Sequence, residues 1–157
     1  MKKLVVALLA FMAIVACSDD KASFNYRGLS FNMPTAEFVD SMSARGFAID
    51  SAASDSGRML VFVNSSELYR VLVAFSDQQI EVVQENYHLS TNDSTRMLWQ
   101  QIRDGLEKEL GAWPDCPLLK DDHKVANFDS GNGFISVTLE NTYTPNLYVR
   151  YMPKKEK

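Results

Sequence analysis

Glu67-Leu68-Tyr69-Arg70-Val71-Leu72-Val73-Ala74-Phe75 is followed, across Asp77-Gln78, by Gln79-Ile80-Glu81-Val82-Val83-Gln84-Glu85-Asn86-Tyr87-His88. The first run is rich in β-branched and aromatic residues, and Tyr69, Val71, Val73 and Phe75 share one side of a strand of period two. Leu68, Leu72 and Ala74 on the other side, with Arg70, predict that this side is partly covered as well. So short a turn makes the two runs antiparallel neighbours, because parallel strands need a long crossover. Glu81 and Glu85 read as carboxylates alternating outward to solvent. Upstream, Met59 to Val63 before Asn64-Ser65-Ser66, and Phe47 to Ser51 before the Ser-rich Ala52 to Gly57, extend the same meander.

Two helices flank this meander. Pro34-Thr35 opens the first, with Thr35 as its expected cap, Glu37 in the positive first turn and Phe38, Val39 and Met42 as one stripe. Arg45 and Gly46 close it, which brings Met42 and Phe47 together in a Schellman end. Ahead of it, Phe24 to Met33 reads as one strand with Gly28 as a bulge. After a loop at Ser90 to Asp93, a second helix carries Leu98, Ile102, Leu106, Leu110 and Trp113 on one stripe. Gly105 interrupts it beside that stripe, at a cost of ~1 kcal/mol relative to Ala, and predicts close approach to the sheet. Gly111 and Pro114 end it. Lys124 to Phe128, Phe134 to Glu140 and Leu147 to Met152 then read as three strands, joined at Asp129-Ser130-Gly131-Asn132-Gly133 and Tyr143-Thr144-Pro145-Asn146.

The expected fold is α+β: a curved antiparallel sheet of about six or seven strands with two helices packed on one face. A helix-plus-meander unit occurs twice, without a residue-level repeat. This arrangement is similar to units of β-lactamase inhibitor proteins and TATA-box-binding-protein-like folds, an analogy that carries no function.

The N-terminus concerns address. Lys2 and Lys3 precede an apolar run from Leu4 to Val15, shorter than the ~18 residues of a membrane span, so residues 1–16 read as a signal peptide. Val15-Ala16-Cys17 resembles the lipobox of bacterial lipoproteins, in which the Cys17 thiol is acylated and becomes the mature N-terminus. Residues 17–23 form a tether, 24–153 one domain and 154–157 a disordered tail. Asp19-Asp20 after the cysteine resembles the export signal of surface lipoproteins in the Bacteroidetes, so the expected location is the outer membrane, facing outward, with the periplasmic leaflet as the alternative if the two aspartates are only a solvated linker. Removing residues 1–16 takes away two lysines and no acid, which leaves 14 basic and 20 acidic residues and a formal charge of −6. Such a domain repels nucleic acid, and membrane attachment must come from acyl chains on Cys17. With Cys17 so used, Cys116 is left without a disulfide partner and is expected to be a buried, inert thiol.

Phe24-Asn25-Tyr26-Arg27-Gly28-Leu29, Thr35-Ala36-Glu37-Phe38-Val39 through Arg45-Gly46-Phe47, and Leu106 through Leu110-Gly111-Ala112-Trp113-Pro114 together resemble small uncharacterised lipoproteins of gut Bacteroidetes. That family has no assigned activity, so the resemblance implies no catalytic residue. Asp40-Ser41-Met42, Asp50-Ser51-Ala52 and Asp93-Ser94-Thr95 resemble the O-glycosylation signal of that phylum, and Ser94, read as a loop residue, is the best acceptor.

No motif for chemistry stands out. Asp121, Asp122 and His123 are adjacent loop residues without metal-ligand spacing. There is no nucleophile elbow, and nothing pairs Cys116 with His88 or His123. No cofactor, metal or nucleic acid is expected. Tyr26, Tyr87, Tyr143, Tyr148 and Tyr151 are many for a small domain, and amphipathic rings suit interfaces. The sheet face free of helices, carrying Tyr148 and Arg150, is the expected docking surface. The reading is a membrane-tethered, non-enzymatic binding or assembly module for a protein partner. The alternative is a glycan or lipid carrier, or a hydrolase, with a cleft between the second helix and the sheet.

Overall fold

The computed structural model describes residues 24–155 apart from 56, 90, 118–122 and 141–144. Cys17, the signal and tether segments, Asp121, Asp122 and Tyr143 therefore lie outside the described residues. In chain order the elements are β1 (Asn25–Tyr26), β2 (Leu29–Ser30), α1 (Thr35–Ala44), β3 (Ala48–Ile49), β4 (Met59–Val63), β5 (Tyr69–Ser76) and β6 (Gln79–Tyr87). Then come α2 (Asn92–Leu110), β7 (Lys124–Asp129), β8 (Gly133–Glu140) and β9 (Asn146–Pro153). β1 and β2 form a small hairpin, and the other strands one seven-stranded antiparallel sheet ordered β3-β4-β5-β6-β9-β8-β7.

Each meander runs from an edge strand inward, and the two meet where β6 pairs with β9. The helix-plus-meander unit thus recurs, with the two copies joined through their last strands. α2 makes this join by carrying the chain from the sheet centre to its far edge; at 1.5 Å per residue its 19 residues span about 28 Å. Both helices lie on the same face. Phe38 of α1 packs on Phe62 with ring centroids 6.1 Å apart, and Trp99 of α2 donates its indole N–H to the carbonyl of Val137 at 3.2 Å. Across the strands, Phe62, Val71, Glu85, Val149, Val137 and Ala126 pair in one row on this face. All six are buried, and Glu85 is the one charged member.

The Schellman end of α1 forms as its residues dictate. Phe47 N–H bonds to Met42 carbonyl, Gly46 N–H to Ser43 carbonyl, and Gly46 takes φ +85°. The start differs from expectation. Pro34 occupies the cap position without a side-chain cap bond, and Thr35 is already inside the first turn. Its hydroxyl instead donates to the Gln78 carbonyl at 3.0 Å and ties α1 to the β5–β6 turn. Asp77 and Gln78 take φ of 50° and 64°, the left-handed pair of a tight two-residue hairpin. A register shift then leaves Ala74 opposite Val82 but Phe75 opposite Ile80, so Glu81 is extra and Ile80 still points into the core.

Four further expectations are corrected. Phe24 to Met33 is a hairpin instead of one bulged strand, because Arg27 and Gly28 both take positive φ and reverse the chain. Trp113 is 86% exposed and leaves the α2 stripe, because Gly111 turns left-handed at φ 62° and ends the cylinder before it. The buried tryptophan of α2 is instead Trp99, on the helix with buried Thr95. Cys116 is exposed. Two backbone bonds between Asp115 and Asn127, of 2.8 and 2.9 Å, hold that segment outside edge strand β7. Lys154 does not fray: its N–H reaches the Asn132 carbonyl at 2.9 Å and its ammonium the Asp129 carboxylate at 2.8 Å.

Candidate functional site

The β1–β2 hairpin lies on the helix face and seats two side chains on β6. Its turn places Arg27 at φ +47°, a left-handed conformation that costs a non-glycine residue ~1–2 kcal/mol. What offsets this strain is the bond at the far end of the side chain. Arg27 Nε and Nη2 bind Glu85 Oε1 and Oε2 at 2.6 and 3.2 Å. Tyr26, next in the hairpin, donates its hydroxyl to Oε1 at 2.8 Å, and Tyr87 donates to Oε2 at 2.7 Å. Glu85 is 1% exposed, so these four bonds replace water around a buried carboxylate.

Aromatic rings wall this cluster. Tyr151 meets Tyr26 edge-on at 5.1 Å, Tyr69 lies 5.1 Å from Tyr87, and the Arg27 guanidinium sits 5.3 Å over the Tyr69 ring. Burial first, and then the charge of Glu85, pushes the hydroxyls of Tyr26, Tyr87 and Tyr151 far above the ordinary phenol range. For Arg27 burial acts downward, but the Glu85 bond and charge overcome it and hold the guanidinium above its usual value.

Above this floor opens a cleft of about 550 Å³ between the second half of α2, the β1–β2 hairpin and the β7–β8 turn. Ile102, Leu106 and Leu110 form its helix wall, with Phe24 and Ile135 opposite. Asn25, Arg27, Glu109, Ser130 and Asn132 supply polar groups. Gly105 also lines the cleft, and here a further correction applies. A Cβ built at Gly105 meets nothing within 4 Å, so the residue faces open space and does not press on the sheet. The close approach occurs at Gly133, where a Cβ would come within 2.5 Å of the Phe24 ring that closes one end.

The expected site residues sit elsewhere. Tyr148 and Arg150 do occupy the sheet face without helices, where Arg150 lies 5.4 Å over the Tyr148 ring. Arg150 also binds Gln84 at 2.9 and 2.7 Å, and Tyr148 donates to Glu140 at 3.0 Å. Burial first, and then Glu140, raises the Tyr148 hydroxyl above its usual range, with a Thr138 bond working against it. A second hollow of about 250 Å³ at the end of this face brings Tyr148, Glu140 and His88 together. His123 and Cys116 line neither hollow. Ser94 is in the first turn of α2 and not in a loop. Its amide donates to Thr91 Oγ1 at 3.1 Å, and its hydroxyl is bonded to the same cap residue. Among the described residues no group of three His, Cys, Asp or Glu side chains could hold a metal ion, and no helix is long and apolar enough to cross a membrane.

Reading Glu85 as solvated missed the central residue of the site. Its neighbours at alternate positions, Val83 and Tyr87, were the available signal that this side of the strand faces inward. Of the tyrosines singled out in the sequence, Tyr26, Tyr87 and Tyr151 are gathered at Glu85, and Tyr148 lies on the open face.

No family model and no curated protein matches the chain. Among solved structures it is similar to a DUF4309 family protein (YjgB) from Bacillus subtilis, with a TM-score of 0.52 and 14% identity over 82% of this chain and 84% of that one. At that identity the likeness is one of fold: an α+β chain built as an open antiparallel sheet with its helices on one side.

Proposed function

We propose that this chain is a membrane-tethered lipoprotein of the cell envelope, of the Bacteroidetes kind its segments resemble, acting as a non-enzymatic binding module. Its ligand seat is the cleft between α2 and the β1–β2 hairpin. The observation that carries this reading is Gly105. A helix-interior glycine costs ~1 kcal/mol against alanine, and no packed neighbour of this one needs the Cβ to be absent. The missing side chain deepens a cleft of ligand size, lined by apolar residues with a few polar groups, which is the usual form of a small-molecule site. Holding is favoured over reacting because the Glu85 oxygens are already committed to four donors.

Native mass spectrometry of the full chain purified from its own envelope tests this. A small molecule retained by the wild type and lost from Gly105→Trp supports the cleft; equal retention, or none in either, removes it. Metabolic labelling with a fatty-acid analogue tests the anchor: wild-type chain takes the label, Cys17→Ser does not, and an unlabelled wild type removes the tether.

A second reading places a protein partner on the open face at Tyr148 and Arg150. The stacked pair and the adjoining hollow favour it. A photocrosslinker at position 148 distinguishes the two, because it captures a protein only in this second case.

A further inference from the structure

The cleft is unequal in charge. Two carboxylates, Glu85 and Glu109, line it against one guanidinium, Arg27. The positive charge of Arg27 is matched by Glu85 at 2.6 Å, and its face lies over Tyr69. The exposed carboxylate of Glu109 makes no side-chain hydrogen bond or ion pair with the described residues, and its charge helps to raise the Tyr151 hydroxyl on the floor. An anion entering here would meet an uncompensated carboxylate on a chain already acidic, whereas a cation would neutralise it. The rings of Tyr87 and Tyr151 add surfaces that attract cations. Below Glu109, the wall is apolar. Ile102, Leu106 and Leu110 follow each other at one-turn intervals, which makes a stripe about 12 Å long at 1.5 Å per residue.

We infer that the cleft binds an organic cation with an apolar body, its charged group at Glu109 and its body along Ile102, Leu106 and Leu110, past the bare backbone of Gly105. This rests on the cleft being the ligand seat.

The test is a heteronuclear NMR titration of the full chain carrying Cys17→Ser with three probes built on eight-carbon chains: octylammonium, octyl glucoside and octanoate. The amides of Gly105, Leu106 and Glu109 should shift saturably with octylammonium, which should bind at least about tenfold more tightly than octanoate. Glu109→Gln should abolish that preference, while Glu107→Gln, on the same helix but not lining the cleft, should keep it. If octanoate or octyl glucoside binds as tightly as octylammonium, or if Glu109→Gln leaves the preference intact, the charge assignment fails and the cleft reading stands. If no probe shifts the cleft amides, both fail.

Discussion

Glu85 holds the middle of a buried row of apolar residues, and its neighbours explain how a carboxylate can stay there. Four hydrogen bonds, two of them from one guanidinium, stand in for its hydration shell. Such a pair adds little over a well-packed apolar substitute, but removing one partner leaves the other uncompensated. Glu85→Ala should therefore cost about 3–5 kcal/mol, towards the low end because half-exposed Arg27 can rehydrate. The check is a shift in urea midpoint with an unchanged slope. A loss under about 1 kcal/mol would show that the cluster does not hold the hairpin down. Gly105→Ala should act in the opposite direction. Its Cβ enters empty space in a helical conformation, so a gain of about 0.4–1 kcal/mol is expected, read as a raised melting temperature. A destabilised Gly105→Ala would mean that the cleft is narrower than described.

At the scale of elements, α2 depends on its first turn. Thr91 accepts the Ser94 amide, and its carbonyl takes the hydroxyls of Ser94 and Thr95. Thr91→Ala should cost about 1 kcal/mol and Thr91→Asp should not, because aspartate can accept the same amide and suits the positive helix end. Thermal unfolding of the two variants decides it, and equal losses in both would sink the cap assignment. The β1–β2 hairpin shows a different dependence. Two residues a strand are too few to be stable alone. It persists because Tyr26, Leu29 and Phe31 are buried and Arg27 reaches Glu85.

For the whole molecule, the tyrosine wall sets the alkaline limit of stability. Tyr26, Tyr87 and Tyr151 are raised in the folded state by burial and by Glu85, so each favours folding while protonated. The sign follows: their contribution is complete below about pH 10, where the unfolded phenol titrates, and is lost as pH rises further, at up to ~1.4 kcal/mol per pH unit each. The urea midpoint should be nearly level from about pH 7 to 9 and fall steeply above about 10. Tyr151→Phe should soften that fall, and a midpoint insensitive to alkali would contradict the buried cluster.

Much of this architecture was legible in the chain itself. Periods of two and 3.6, the turns at Asp77-Gln78 and Asp129 to Gly133, and the Gly46 and Gly111 stops are local properties, decided within a few residues. They sufficed for the strands of the main sheet, both helices and the antiparallel sense, though not for the β1–β2 hairpin. Other features depended on chain path. The pairing of β6 with β9, the burial of Glu85, the bonding of the Cys116 segment to β7 and the cleft beside Gly105 join residues far apart in the chain. Glu85 is the clearest case. It belongs to an ordinary polar strand until a hairpin 58 residues earlier in the chain brings Arg27 against it. Only the folded molecule could decide that, because a buried charge becomes tolerable only when its partners arrive from elsewhere.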